Sequence, residues 1–222
     1  MILDNTTGND IEIEMMKKQL DLKKYLEEYA IDTGDGQHNN LLLDTLMESN
    51  YYDLEKLINH IKVHRNKNRL SLNILHLNIQ SLPSKFERFK DLIAQLEDQD
   101  IVLDAILLCE TFLHDSNVDL YKLSGYNLIF RNRSRIKGGG VAIYLRDNFN
   151  YSIRNDISTF IEGEFESLFI ETTLLNKNTI IGEIYRTPGS NAKSSLEHFE
   201  NIISKLKGNR QVLIGTTQIM IY

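Results

Sequence analysis

The stretch from Ile101 to Leu108 is a nearly continuous run of apolar residues, and it constrains the fold more than any other part of the chain. Its length suits a β-strand rather than a helix, and a strand that lacks alternating polar residues is buried on both of its faces. Each face of such a strand needs cover from another layer of structure. The run therefore predicts a layered domain with this strand in its interior.

From about Leu70 onward, short apolar stretches alternate with amphipathic ones. Strand-like stretches occupy residues 72–77, 126–130, 141–145, 168–172, 179–185 and 211–214. Apolar residues recur at helical spacing over 86–96 and 196–206, and Ser84 with Glu87 has the pattern of a capping box. Because helices separate some strands while others follow one another like hairpins, we expect a layered α/β fold rather than a purely parallel sheet.

The acidity of the chain belongs to its first part. The formal net charge is −6, yet residues 1–64 carry 13 acidic and 6 basic side chains, whereas residues 65–222 carry 18 and 19. We therefore divide the chain into an acidic helical, linker-like segment over 1–66 and a domain over 67–222. Within the first segment we expect helices over 11–29, 41–47 and 54–61. The second part is the one able to meet a polyanion locally.

Cysteine usage and hydropathy indicate an intracellular location, nuclear or cytoplasmic. Cys109 is the only cysteine, which excludes an intramolecular disulfide and fits a reducing compartment. It closes an apolar run, so we interpret it as a buried small hydrophobe rather than a nucleophile. Residues 1–14 lack the basic lead of a secretory signal, and no apolar run approaches the roughly 20 residues of a membrane span. We expect no membrane partner.

Three polar residues stand where predicted strands end: Asn78, Glu110 and Tyr185. Ligands bind at strand exits in open α/β sheets because the sheet holds those side chains rigidly. A carboxylate at the mouth of a dry strand suits a hard cation such as Mg²⁺, which takes one or two protein carboxylates and keeps its waters. Taken singly, the Glu also fits a structural role, and the Asn also fits a turn.

A basic run follows the predicted strand over 126–130. Its members are Arg131, Arg133, Arg135 and Lys137, followed by Gly138, Gly139 and Gly140. The alternating arginines would share one strand face or loop edge, where guanidinium groups pair with phosphate and glycines admit a ligand close to the backbone. A solvated hairpin is the alternative. The histidines show no metal-ligand spacing, and only His76 merits attention, because it shares a strand face with Asn78.

Five motifs occur in a fixed order along the chain: residues 76–82, 109–113, 138–144, 184–188 and 212–215. In this order and at these separations they resemble the endonuclease/exonuclease/phosphatase superfamily. The closest resemblance is to the apurinic-type endonuclease domain that opens the second open reading frame of non-LTR (LINE-class, jockey-like) retrotransposons. The resemblance covers about residues 70–215. It implies two packed mixed β-sheets flanked by helices, and a reverse transcriptase-associated hydrolase that cleaves DNA with Mg²⁺.

The resemblance also assigns roles to residues of this chain. Asn78 matches the Asn that positions the scissile phosphate, Glu110 the Glu that binds the metal, and Tyr185 the Tyr beside the phosphate. Further DNA-phosphate contacts are expected from basic residues: Arg131, Arg133, Arg135, Lys137 and Arg186. The resemblance implies DNA as the partner and no cofactor other than the cation.

The family's next motif is Gly-Asp-x-Asn, and here the chain departs from it. The Asp position is held by Thr216 and the Asn position by Gln218. Threonine has no ionised form near neutral pH and cannot act as the general base that activates water. The family's closing Asp–His pair has no counterpart before Tyr222. We therefore expect a domain incomplete at its C-terminal part and impaired in catalysis. The alternatives are a non-catalytic nucleic-acid-binding remnant, or a phosphatase-like relative that acts on small phosphoesters.

Overall fold

The computed structural model describes residues 54–65, 72–206 and 211–217. The helices expected over 11–29 and 41–47 lie outside the described residues, as does Gln218. The helix expected over 54–61 is present as α1, Leu54–Arg65. The division of the chain at residues 66 and 67 stays a prediction. No described helix combines the length and the apolar character needed to cross a membrane.

The first sheet contains four strands in the order β1-β2-β4-β3. Their bounds are Ile74–Asn78 for β1, Ala105–Cys109 for β2, Tyr126–Arg131 for β3 and Val141–Arg146 for β4. Strands β1 and β2 are parallel and are joined through helix α2, Leu82–Glu97. The other neighbours are antiparallel. A single turn of 3₁₀ helix, Val118–Tyr121, lies between β2 and β3.

The second sheet has the order β5-β7-β8-β9, with β6 paired to β7. Its strands are Tyr151–Ile153 for β5, Phe160–Ile161 for β6, Phe165–Leu174 for β7, Lys177–Arg186 for β8 and Gln211–Thr217 for β9. Helix α3, Ala192–Lys205, connects β8 to β9, which run parallel. The remaining pairs are antiparallel, so both sheets are mixed.

Strand β2 shows why the two sheets stack. Ile106 and Leu108 pack into one cluster with residues of α2, such as Phe89. Ala105, Leu107 and Cys109 project from the opposite face and pack against the second sheet, at residues such as Ile181. On the far side of that sheet, Ile202 of α3 covers Phe169 and Ile184. The four layers are helix, sheet, sheet and helix, which confirms the predicted sandwich of two mixed sheets flanked by helices.

Several predicted boundaries differ from the structure. The strand expected over 101–108 begins only at Ala105 and ends at Cys109. Before it, the Asp104 side-chain carboxylate accepts a hydrogen bond from the Asn73 backbone N–H. The capping box at Ser84 is wrong. Helix α2 begins at Leu82, and its cap is Ser81, whose hydroxyl accepts from the Ser84 N–H. Pro83 fits the first turn, where its missing N–H costs nothing. The short strands β5 and β6 were not predicted.

A substitution at Gly182 tests how tightly side chains pack on the second sheet. Phe169 pairs with Gly182 across β7 and β8, and its ring lies where a Cβ at residue 182 would be placed. We expect Gly182→Ala to lower the free energy of unfolding by about 1–3 kcal/mol, since over-packing forces side chains from their preferred rotamers. Urea denaturation measures this loss. Adding Phe169→Leu should recover part of it, and strictly additive losses would contradict this packing.

Candidate functional site

The structure brings Asn78 and Glu110 into direct contact. Because β1 and β2 are parallel and in register, Asn78 pairs with Cys109, and both strands end at the same edge of the sheet. The Asn78 side-chain amide donates to the Glu110 carboxylate, with 2.8 Å between Nδ2 and Oε1. Asn78 and Glu110, 32 residues apart in the chain, thus form one polar cluster at the strand exits.

Tyr185 joins this cluster from the other sheet. It is the second-last residue of β8 and is almost fully buried. Burial raises the pKa of the Tyr185 phenol, and the Glu110 carboxylate, to which it is hydrogen bonded, raises that pKa further. The phenol therefore stays protonated and serves as a hydrogen-bond donor at neutral pH. The cluster combines a carboxylate, an amide and a phenol at the open end of the space between the sheets.

The backbone around the cluster is strained. Positive φ angles occur at Gln80, Ser81, Glu110 and Phe112, with 52° at Glu110. A non-glycine residue adopts such angles only where its surroundings hold it there, and such strain collects at functional sites. The surroundings here are backbone hydrogen bonds: Ser81 N–H donates to the Glu110 carbonyl at 2.8 Å. The orientation of the Glu110 carboxylate is thus built into the ends of β1 and β2.

The predicted basic residues do not share one face, because β3 ends at Arg131. Arg131 donates to the Asn155 side chain at 2.7 Å. Arg133 is buried, forms an ion pair with the fully buried Glu166, and also donates to Thr187. Its guanidinium is thus committed within the protein, which corrects the expectation of a phosphate contact. Arg135 and Lys137 are exposed in the loop that follows.

Gly139 and Gly140, two of the three glycines, serve the Arg133–Glu166 ion pair rather than an external ligand. All three have positive φ angles. A Cβ at Gly139 would overlap the Arg133 guanidinium, and one at Gly140 would lie 2.6 Å from the Thr111 hydroxyl oxygen. The Gly140 N–H donates to Glu166 at 2.7 Å. The expected close approach of the backbone is present, but the group it approaches is the protein's own guanidinium.

Glu162 holds the exposed part of the basic loop in place. Its carboxylate accepts from the backbone N–H groups of Ser134, Arg135 and Ile136. These bonds, led by that from Ser134, lower the pKa of Glu162 from 4.5 to about 2. The loop that presents Arg135 and Lys137 is therefore closed around a protein carboxylate at neutral pH.

The remaining predicted positions lie away from the Asn78–Glu110–Tyr185 cluster. Arg186 follows Tyr185 on β8, so its side chain leaves the opposite face of the strand, where it donates to the Ser190 carbonyl at 3.2 Å. Strand β9 does not end at Ile214 as predicted but continues to Thr217. Thr216 is exposed and pairs with Ile184 of β8. The Ile184 side chain packs with Ile202 on the face of the sheet that α3 covers, which is the face away from the cluster. Neither its chemistry nor its place supplies a base to the cluster.

Sequence reasoning missed two carboxylates. Glu166 and Glu183 are both fully buried, in the middle of strands that are otherwise apolar. Glu183 lies two residues before Tyr185 and on the same face of β8. The available signal was a charged residue within an apolar strand, which is rare unless the charge is paired or bound to a cation.

No family model and no curated protein matches this sequence. Among solved structures, the chain is similar to a humanized TDP2 from D. rerio, with a TM-score of 0.49 at 15% identity over 68% of this chain and 67% of that one. It is likewise similar to the endonuclease domain of TRAS1, a telomere-specific non-LTR retrotransposon, with a TM-score of 0.49 at 13% identity over 67% and 59%.

A third similar structure is an endonuclease/exonuclease/phosphatase family protein from Bacteroides thetaiotaomicron, with a TM-score of 0.48 and 14% identity over 67% of this chain. The chain spans 62% of that structure. That structure bears the name of the superfamily that the sequence motifs resemble.

The buried ion pair makes Gly139 sensitive to substitution. We expect Gly139→Ala to cost about 3 kcal/mol of unfolding free energy, because displacing Arg133 leaves Glu166 as an unpaired buried charge. Gly189→Ala is the matched control: its φ is +80°, but nothing lies within 4 Å of the added Cβ. That change should cost about 1 kcal/mol of backbone strain. Equal losses in urea denaturation would contradict the proposed role of Gly139.

The lowered pKa of Glu162 predicts a pH-dependent contribution to stability. A group whose folded pKa is depressed stabilises the protein above its unfolded pKa and loses that effect as the pH falls through the folded value. Glu162→Gln should therefore destabilise the protein at neutral pH, and the difference should shrink as the pH falls from 4.5 toward about 2. Glu87→Gln, at an exposed ion pair on α2, is the control. Urea denaturation at several pH values measures the difference in unfolding free energy between the wild type and Glu162→Gln. A difference that stays constant over that pH range would count against the loop geometry.

Proposed function

We propose that this chain is a retrotransposon-type endonuclease domain that binds DNA and one Mg²⁺ ion at Glu110, but hydrolyses phosphodiesters poorly. The observation that carries this proposal is the convergence of Asn78, Glu110 and Tyr185 at one strand edge. Carboxylate, amide and phenol are the groups that a cation and a phosphate would contact together. The order of the sequence motifs supports the same function.

The donor set at this cluster fits a weakly held hard cation. Glu110 is only half-buried, so its carboxylate is accessible to a hydrated ion. Within the described ranges, Glu110 is not part of any group of three His, Cys, Asp or Glu ligands. Mg²⁺ accepts such a site because it retains several waters and shares its remaining positions with substrate phosphate. When bound, the ion would neutralise charge on the phosphate.

The chain's own residues would then orient the phosphate without activating water. The Asn78 amide, fixed by its bond to Glu110, has a second N–H to offer a phosphate oxygen. The single O–H of Tyr185 is hydrogen bonded to Glu110 and would hold that carboxylate in place from the other sheet. Removing a proton from the attacking water requires a base with a suitable pKa, and Thr216 supplies none. We infer positioning without efficient general-base catalysis, which costs about 1.4 kcal/mol for each tenfold loss of rate.

DNA binding rests on the exposed part of the basic loop. Arg135 and Lys137 are free of acidic neighbours along the chain and are presented to solvent on the turn that Glu162 closes. Such residues give salt-dependent, sequence-independent contacts with the phosphate backbone. The same loop favours DNA over a small phosphoester as substrate, because an extended basic loop adds more binding energy for a long polyanion than for a small anion.

The experiment combines duplex binding with plasmid nicking, each in Mg²⁺ and in EDTA. We expect salt-dependent DNA binding that Mg²⁺ strengthens in the wild type but not in Glu110→Gln. We also expect no metal-dependent nicking above the Glu110→Gln background. Glu87→Gln removes a carboxylate from the exposed surface of α2 and should behave as the wild type. Metal-dependent nicking that Glu110→Gln abolishes would contradict the proposed loss of catalysis. The absence of any Mg²⁺ effect would contradict the proposed cation site at Glu110.

A further inference from the structure

A second group of ligand-type side chains lies one layer below the Asn78–Glu110–Tyr185 cluster. Alternation along a strand returns to the same face every two residues. His76 therefore lies below Asn78 on β1, and Glu183 below Tyr185 on β8. Cys109, the last residue of β2, completes the group. One ligand atom from each of these three residues lies within 4.8 Å of the other two, and the described ranges contain no other such group.

The Glu183 carboxylate in this group is incompletely satisfied. It is fully buried, and its Oε1 lies 3.1 Å from Nε2 of His76. Its other oxygen, Oε2, has no hydrogen-bond partner among the described residues. Burial raises the pKa of Glu183, although the hydrogen bonds from His76 and Cys109 lower it in part. A buried polar atom without a partner is costly, so a group that binds it would stabilise the fold.

Gly215 keeps the space beside this carboxylate open. It pairs with Glu183 across β8 and β9. A Cβ at this position would overlap Oε2 of Glu183 and would lie 2.6 Å from Cδ2 of His76. The glycine therefore provides room at the oxygen that lacks a partner. His76 keeps 28% of its side chain exposed, so the group is reachable from solvent on that side.

We propose that His76, Cys109 and Glu183 form a binding site for a zinc-class divalent cation. Imidazole, thiolate and carboxylate are the ligands that Zn²⁺ takes, and three protein ligands leave a fourth position for water. The hard cation proposed for Glu110 disfavours sulfur and nitrogen ligands, so the two sites select different ions. Binding converts the Cys109 thiol to a thiolate and releases its proton to solvent.

The position of this zinc site gives it a structural consequence. Its ligands come from β1, β2 and β8, the same strands that carry or lead into Asn78, Glu110 and Tyr185. A bound ion would tie the two sheets together directly beside that cluster, because His76 and Glu183 lie two strand residues below Asn78 and Tyr185 while Cys109 is level with Asn78. It would therefore stabilise the sandwich at the end where the sheets must stay aligned. This inference does not depend on nuclease activity.

The test is a Co²⁺ titration of the full chain, expressed without a histidine tag and freed of metal. Because Cys109 is the only cysteine, any thiolate-to-cobalt charge-transfer band must come from this site. We expect an equimolar band that Zn²⁺ displaces, and a zinc-dependent rise in Tm. Cys109→Ser should abolish the band, and Glu183→Gln should weaken cobalt binding at least about tenfold.

The matched control is Glu110→Gln, which removes the carboxylate next to Cys109 but leaves the three proposed ligands. It should keep the band and its affinity, so failure at the zinc site and failure at Glu110 are distinguishable. Folding of each variant is followed by circular dichroism. If Glu183→Gln does not fold, His76→Gln takes its place with the same expectation. A folded wild type without the band, or a band that persists at full affinity in a folded ligand variant, would overturn the proposal.

Discussion

The parallel, in-register pairing of β1 with β2 is the constraint on which the rest of this structure depends. It brings the ends of the two strands to one edge, so that Asn78 and Glu110 meet within a hydrogen bond. Alternation along each strand then decides which side chains enter the space between the sheets. The same geometry places Asn78 and Tyr185 in an upper layer, and His76 and Glu183 in the layer below.

Two carboxylates, Glu166 and Glu183, are fully buried inside the sandwich, and their surroundings differ. Glu166 is surrounded by donors: the Arg133 guanidinium and the N–H groups of Gly140 and Gly163. This buried charge is satisfied, and its role is to hold the basic loop against the sheet. Glu183 is hydrogen bonded to His76 and to Cys109, but its Oε2 has no hydrogen-bond partner among the described residues. Glu166 therefore has a structural role, whereas Glu183 is the carboxylate that we propose binds a cation.

The basic loop shows how a motif can be correct in type and different in use. Arginines and glycines in series are typical of phosphate recognition, and Arg135 and Lys137 remain open to it. Arg133 belongs to the interior, because the glycines that follow give its guanidinium room to reach Glu166. Burial of one arginine is therefore what fixes the loop that presents its basic neighbours.

The sequence by itself determined the layered α/β class, because the apolar run of β2 must be covered on both faces. It also determined the candidate residues at the strand ends, because a buried strand fixes the place of the polar residue that directly follows it. Only the tertiary structure decided which of them meet. Register cannot be derived from one strand alone, so the pairing of Thr216 with Ile184 and the burial of Arg133 could not be foreseen. The His76–Cys109–Glu183 group arises from three strands and two sheets, and no local spacing in the chain records such a meeting.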